Sequence, residues 1–82
     1  MSVFSGLVDK KVLRVLAVFL NNPRELFHIN KVSKKAKVPL ATTFRIINNL
    51  VSFNILSVQK ISKFKIYKLA DNNKTKKLRR LI

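Results

Sequence analysis

The sequence predicts a small α+β domain, mainly helical: three helices, a β-hairpin and a short C-terminal helix. Three observations predict it. Apolar residues recur at helical spacing in successive stretches before residue 54, and the period changes to two between residues 56 and 69. Pro23, Pro39, Asn54 and the run Asp71-Asn72-Asn73 stand where one pattern gives way to the next. The chain, residues 1–82, reads as a single domain. A domain this small buries a modest fraction of its surface, so a partner subunit is expected to add stability.

The first helix is expected over residues 7–20. Val8, Val12, Val15, Leu16 and Phe19 share one face, with Lys10, Lys11 and Arg14 on the other. Leu13 and Leu20 widen the apolar surface, so its second side is buried either within the domain or against another molecule. Asn21-Asn22-Pro23 ends it, because proline disfavours helical backbone in the residue before it. A second helix starts near residue 29 or 30 and runs to about 36. Ile29, Val32 and Ala36 face inwards, Lys31, Lys34 and Lys35 outwards, and Asn30 or His28 is the cap. Lys37-Val38 makes a tight connection, and Pro39 suits the start of a third helix over about 40–53.

On the third helix Thr43, Ile46, Ile47 and Leu50 fall on one side at about 100° per residue. Ala41, Arg45, Asn48 and Ser52 fall opposite, flanked by Thr42 and Asn49, and Phe44 lies between the two sets. Thr and Phe are mediocre helix formers, so the first turn is not chosen for helix stability alone. Asn54 is expected in a left-handed turn, where a chain with one glycine, Gly6, uses asparagine instead. LSVQK at 56–60 and FKIYKL at 64–69 alternate as an antiparallel hairpin joined by Ile61-Ser62-Lys63, its register left open by the glycine-free turn. Asp71-Asn72-Asn73 then caps a last helix over 74–82. Its apolar stripe, Leu78, Leu81 and Ile82, has no evident internal partner and has Lys76, Lys77, Arg79 and Arg80 around it.

Charge narrows the function. Eighteen Lys and Arg stand against three Asp and Glu, a formal net charge of +15, spread along the chain. Such a chain attracts polyanions through release of counterions condensed on phosphate, and nucleic acid is the expected partner. At 48% hydrophobic residues it is too apolar for a disordered basic arm. The absence of cysteine excludes a disulfide framework, a thiolate zinc site and a cysteine nucleophile. Asp9, Glu25, Asp71 and His28 are too few and too scattered for paired-carboxylate chemistry or a two-histidine metal site. No enzyme, cofactor or metal is expected. The longest apolar stretch, 12–20, is interrupted by Arg14 and too short to span a bilayer. With no signal-peptide pattern, a cytoplasmic, nucleoid-associated protein is expected.

The stretch FHINKVSKKAKVPLATTFRIINNLVSFNILSVQK, residues 27–60, resembles the core of prokaryotic winged helix-turn-helix transcriptional regulators of the IclR, MarR and ArsR kind. Ile29, Val32 and Ala36 match the family's first motif helix, and Pro39, Thr42 and Arg45 its second. Asn54-Ile55-Leu56 stands where glycine followed by leucine or isoleucine is common, and KIYKL resembles the second wing strand, with Tyr67 and Leu69 packing inwards. The likeness covers about residues 7–69. Lys37 departs from a usual glycine, adding charge near the DNA backbone at some backbone strain, and Leu40 and Ala41 replace commonly polar residues.

The resemblance implies a double-stranded DNA-binding regulator whose third helix enters the major groove. Thr42 and Arg45 are then candidates for base or phosphate contact, as are Asn48 and Asn49, with Ala41 beside them. Lys31, Lys34, Lys35 and Lys37 lie near the DNA backbone, and Lys60, Lys63 and Lys65 around the wing reach phosphate or the minor groove. Phe44 is open between core edge and groove contact. Phe64 and Ile66 face away from the core if Tyr67 and Leu69 face it. Only about a dozen residues follow the wing, so no effector domain and no small-molecule ligand is expected. A homodimer through the first and last helices is expected. The rival readings are a nucleoid-type architectural protein and an interaction module of a larger transcription or replication assembly.

Overall fold

The computed structural model describes residues 10–81. It contains α1 (Lys10–Asn21), α2 (Ile29–Ala36), α3 (Leu40–Ser52), β1 (Leu56–Ile61), β2 (Phe64–Leu69) and α4 (Asn73–Leu81). This is the expected order. The stretch 7–9, read as the start of the first helix and including Val8, lies outside the described residues.

Val15, Leu16 and Phe19 are buried on α1 as their spacing requires, and Val18 and Leu20 join them. The helix is therefore buried on two sides within the domain, while Leu13 is exposed. The Asn22 side chain donates to the Val18 carbonyl at 2.9 Å and its backbone N–H to Phe19 at 3.1 Å, closing the helix before Pro23. Phe27 then pairs with Tyr67 as an isolated antiparallel bridge, each N–H donating to the other's carbonyl at 2.8 Å. The Phe27 ring meets Phe19 edge-on at 5.2 Å and is fully buried. That one bridge fixes the hairpin to the segment entering α2.

His28, not Asn30, occupies the N-cap of α2, without a side-chain cap hydrogen bond. Asn30 lies inside the first turn, exposed. Helix α2 ends in a Schellman motif. Lys37 is left-handed (φ 57°, ψ 45°), its N–H reaches Lys34, and the Val38 N–H reaches Ser33. Helix α3 ends alike: Asn54 takes φ 63°, its N–H reaches Val51, and the Ile55 N–H reaches Leu50. Lysine and asparagine thus do at these two corners what glycine commonly does. Across the Lys37 corner, two hydroxyls close the turn. Ser33 Oγ donates to the Val38 carbonyl at 2.6 Å, and Thr43 Oγ lies 3.0 Å from the Pro39 carbonyl and 3.3 Å from that of Val38. Thr43 is fully buried, and this is how its oxygen is satisfied.

The hairpin register pairs Leu56 with Leu69, Val58 with Tyr67, Lys60 with Lys65 and Ile61 with Phe64. Ile61 therefore belongs to the strand, and only Ser62-Lys63 forms the turn. Positive φ is confined there to Ser62 (56°), the pattern of a type II′ turn. Leu56, Tyr67 and Leu69 are buried, Phe64 is exposed and Ile66 half-buried, which settles the alternation.

Helix α4 begins with a reciprocal cap. The Thr75 N–H donates to Asn72 Oδ1 at 3.0 Å and the Asn72 N–H to Thr75 Oγ1 at 3.3 Å. Asn72 Nδ2 reaches the Asn54 carbonyl (2.7 Å) and Lys74 Nζ the Phe53 carbonyl (2.9 Å), tying α4 to the end of α3. Leu78, expected to lack an internal partner, packs against the core instead, because these ties bring α4 over it. The Leu81 side chain and Ile82, the rest of that stripe, lie outside the described residues. No helix of the described residues is long and apolar enough to cross a membrane.

Candidate nucleic-acid interface

Helix α3 divides cleanly. Thr43, Ile46, Ile47 and Leu50 are buried, whereas Ala41, Arg45, Asn48, Asn49 and Ser52 are exposed and Thr42 half-buried. The buried side packs with α1, α2 and β1, so the outward side is held on a rigid support. Phe44 is 48% exposed, which places it at the margin of the outward face rather than in the core. Every group on that face is a donor, an acceptor or a small apolar surface. Arginine can fork onto a guanine edge, asparagine onto adenine, and a threonine methyl or alanine can meet a thymine methyl.

The cations fall into groups. Lys34 and Lys35 occupy the last turn of α2, where positive charge also opposes the negative end of the helix dipole. Lys37 follows at the left-handed corner. Lys35 and Lys37 line one open groove with Arg14 of α1, Asn21 and Asn22. In the sequence Arg14 belongs to the polar face of the first helix. Nothing in the sequence joins it to Lys35 and Lys37, because the α1–α2 packing does so. Lys31 differs from its neighbours: its ammonium sits 3.2 Å from Glu25 Oε2 and 5.5 Å from the centre of the Phe27 ring. Both partners are largely exposed, so the pair is worth little, yet it draws this lysine towards the loop before α2.

On the hairpin, Lys60 and Lys65 face each other directly on the side that carries Val58 and Tyr67, and Lys63 sits in the turn. All three are exposed. Like charges directly opposite destabilise a strand pair, so this end of the hairpin is built against its own stability. The outer side at the tip carries Ile61 and Phe64, which the charge reading passed over. A second basic groove is lined by Arg24, Lys68, Lys76 and Arg79, with Asp71 the one carboxylate in it. Among the described residues no cluster of His, Cys, Asp or Glu could hold a metal ion.

No protein-family model matches the chain, and no curated protein matches its sequence. Solved structures do match. A MarR family transcriptional regulator from Silicibacter pomeroyi superposes with a TM-score of 0.70 at 14% identity, over 96% of this chain and 54% of its own. A possible transcriptional regulator from Methanosarcina mazei gives 0.71 at 26% identity, over 92% and 67%. The homodimeric winged helix-turn-helix DNA-binding domain of a possible ArsR-family regulator from Mycobacterium bovis gives 0.71 at 14% identity, over 94% and 68%. The chain spans about half the length of the Silicibacter regulator. Its fold is the winged helix-turn-helix: α2, the Lys37 corner and α3 form the helix-turn-helix, and the β1–β2 hairpin is the wing.

Proposed function

We propose that the chain is a double-stranded DNA-binding transcriptional regulator that reads the major groove with α3 and holds the backbone with its basic wing. One observation carries this: the outward face of α3 presents Thr42, Arg45, Asn48 and Asn49 from a core-anchored helix, with exposed cations on both neighbouring elements. Ala41 and Phe44 add apolar surface beside them. Lys34, Lys35 and Lys37, joined by Arg14, meet phosphate on one side, and Lys60, Lys63 and Lys65 on the other. Lys31 contributes less, being paired with Glu25. The protein acts in the cytoplasm on nucleoid DNA as a homodimer, without cofactor or catalytic step. The similarity to solved regulators supports this reading.

Selection of bound duplexes from a random pool tests it, and a discrete enriched sequence is the expected result. Binding to that sequence should fall by roughly 10³–10⁵ between about 50 and 200 mM salt if about 6–10 phosphates are neutralised. A flat affinity over that range would remove the polyanion argument.

The second basic groove, Arg24 with Lys68, Lys76 and Arg79, favours one other reading: an architectural protein that coats DNA with little sequence preference. Footprinting separates the two, since a regulator protects a discrete site and a coating protein gives uniform coverage.

A further inference from the structure

The far end of the wing combines two features that each cost stability. Ile61 and Phe64 face each other across the last strand pair before the turn. They are 46% and 60% exposed and lie outside the buried core. On the opposite side of the same hairpin end, Lys60 and Lys65 repel each other, with Lys63 between the strands in the turn. Exposed apolar surface at a strand end invites aggregation, and a facing lysine pair loosens the register. A narrow anionic cleft with a stack of apolar rings inside it relieves both. Among the described residues the other exposed large apolar side chains are not paired in this way: Leu40 and Phe44 flank the reading face of α3, Phe53 follows that helix, Leu13 stands on α1, Leu26 precedes α2, and Val58 lies opposite the buried Tyr67.

We propose that the wing tip is a wedge for the DNA minor groove, in which Lys60, Lys63 and Lys65 hold the phosphate walls while Phe64, backed by Ile61, enters between base pairs and bends the duplex. The proposal rests on the DNA-binding reading above. Phenylalanine and isoleucine are among the side chains that wedge base steps apart, kinking the helix by about 20–90°. The His28 ring stands edge-on to Phe64 at 5.7 Å and 90°, holding it from one side, so that less rotamer freedom is lost on insertion. Pyrimidine–purine steps unstack most readily, so the wedge favours TA and CA/TG steps at positions that no side chain of α3 touches.

A duplex of about 30 bp, within the length range for which bending energies are understood, tests this. It carries one central TA step with 2-aminopurine replacing its adenine and a donor–acceptor dye pair on its ends. Anisotropy of a third label reads binding separately. The full chain at low salt should raise both end-to-end energy transfer and 2-aminopurine fluorescence when it binds. The double variant Ile61→Ala/Phe64→Ala should bind within about tenfold of the wild type and lose both signals, whereas Phe64→Leu should keep them. Wild-type chain that binds without changing either signal overturns the wedge and leaves DNA binding standing, and this readout needs no variant to fold. Retention of both signals by the double variant overturns it too. Failure to bind any duplex at low salt overturns the DNA-binding reading and the wedge together.

Discussion

Arg45 and Lys63 illustrate how two exposed cations differ in what they do. Arg45 stands on the outward face of α3, among side chains suited to base edges, whereas Lys63 sits in the two-residue turn of the wing. Arg45→Ala should cost about 1–3 kcal/mol on the preferred sequence and relax selectivity at one base position. Lys63→Ala should weaken all sequences alike and flatten the salt slope by about one unit. Titrations of both variants against preferred and scrambled duplexes check this, and an unchanged preference in Arg45→Ala would remove that side chain from the base edge. Lys37 carries a different tension. Its left-handed backbone costs a residue with a Cβ about 1–2 kcal/mol, part of which glycine would lose again through unfolded-state entropy. Lys37→Gly should therefore raise urea stability by about 0.5–1 kcal/mol while lowering DNA affinity.

At the scale of elements, helix faces were legible because a single period decides them. Thr43, Ile46, Ile47 and Leu50 were grouped by angle alone and are buried. The left-handed place of Asn54 was legible for a similar local reason. What the sequence did not disclose arises between elements. The Phe27–Tyr67 bridge joins residues forty positions apart and leaves no periodic trace in a single residue. The packing of Leu78 leaves no trace in the sequence, because its partner is made available by Lys74 and Asn72 bonding to carbonyls at the end of α3. Of the candidate site, the outward face of α3 and the wing lysines could be named from pattern, while Arg14 and the Lys31–Glu25 pair required the packing. The sheet also offers a pH test. Burial pushes the Tyr67 phenol above its ordinary value of 10.0, so the folded chain holds that proton more tightly than the unfolded chain does. The stability gained from the neutral phenol is complete below about pH 10 and is lost as pH climbs past the folded value. Stability against urea should fall less steeply between about pH 8 and 11 in Tyr67→Phe than in the wild type.

For the molecule as a whole, the question is how a small basic domain would associate. The exposed Leu13 on α1 offers apolar surface to a second copy, and α4 adds Arg79 and Arg80 in its last turn. A two-fold dimer through α1 and α4 would set two α3 helices about 34–36 Å apart, one turn of DNA, and favour a palindromic site. Crowded positive charge opposes that contact at low salt and relents as salt rises. Sedimentation equilibrium of the full chain in moderate salt should show the dimer, and Leu13→Lys should dissociate it with the monomer still folded. A monomeric full chain at tens of micromolar would defeat the assembly. An unaffected dimer in Leu13→Lys would move the contact away from this part of α1.

The facing lysines of the wing also bear on motion. Repulsion between Lys60 and Lys65 acts at the end of a two-stranded ribbon that the His28 ring steadies from one side through Phe64, whereas its base is held by Phe27 and the buried Tyr67 and Leu69. Opening should therefore run from the tip towards the base, with amides near the turn exchanging with solvent long before those beside Phe27. Salt should slow that exchange in the free protein, because it screens the repulsion that drives opening. A polyanion should slow it far more, so that the wing acquires its full order only on the surface it grips.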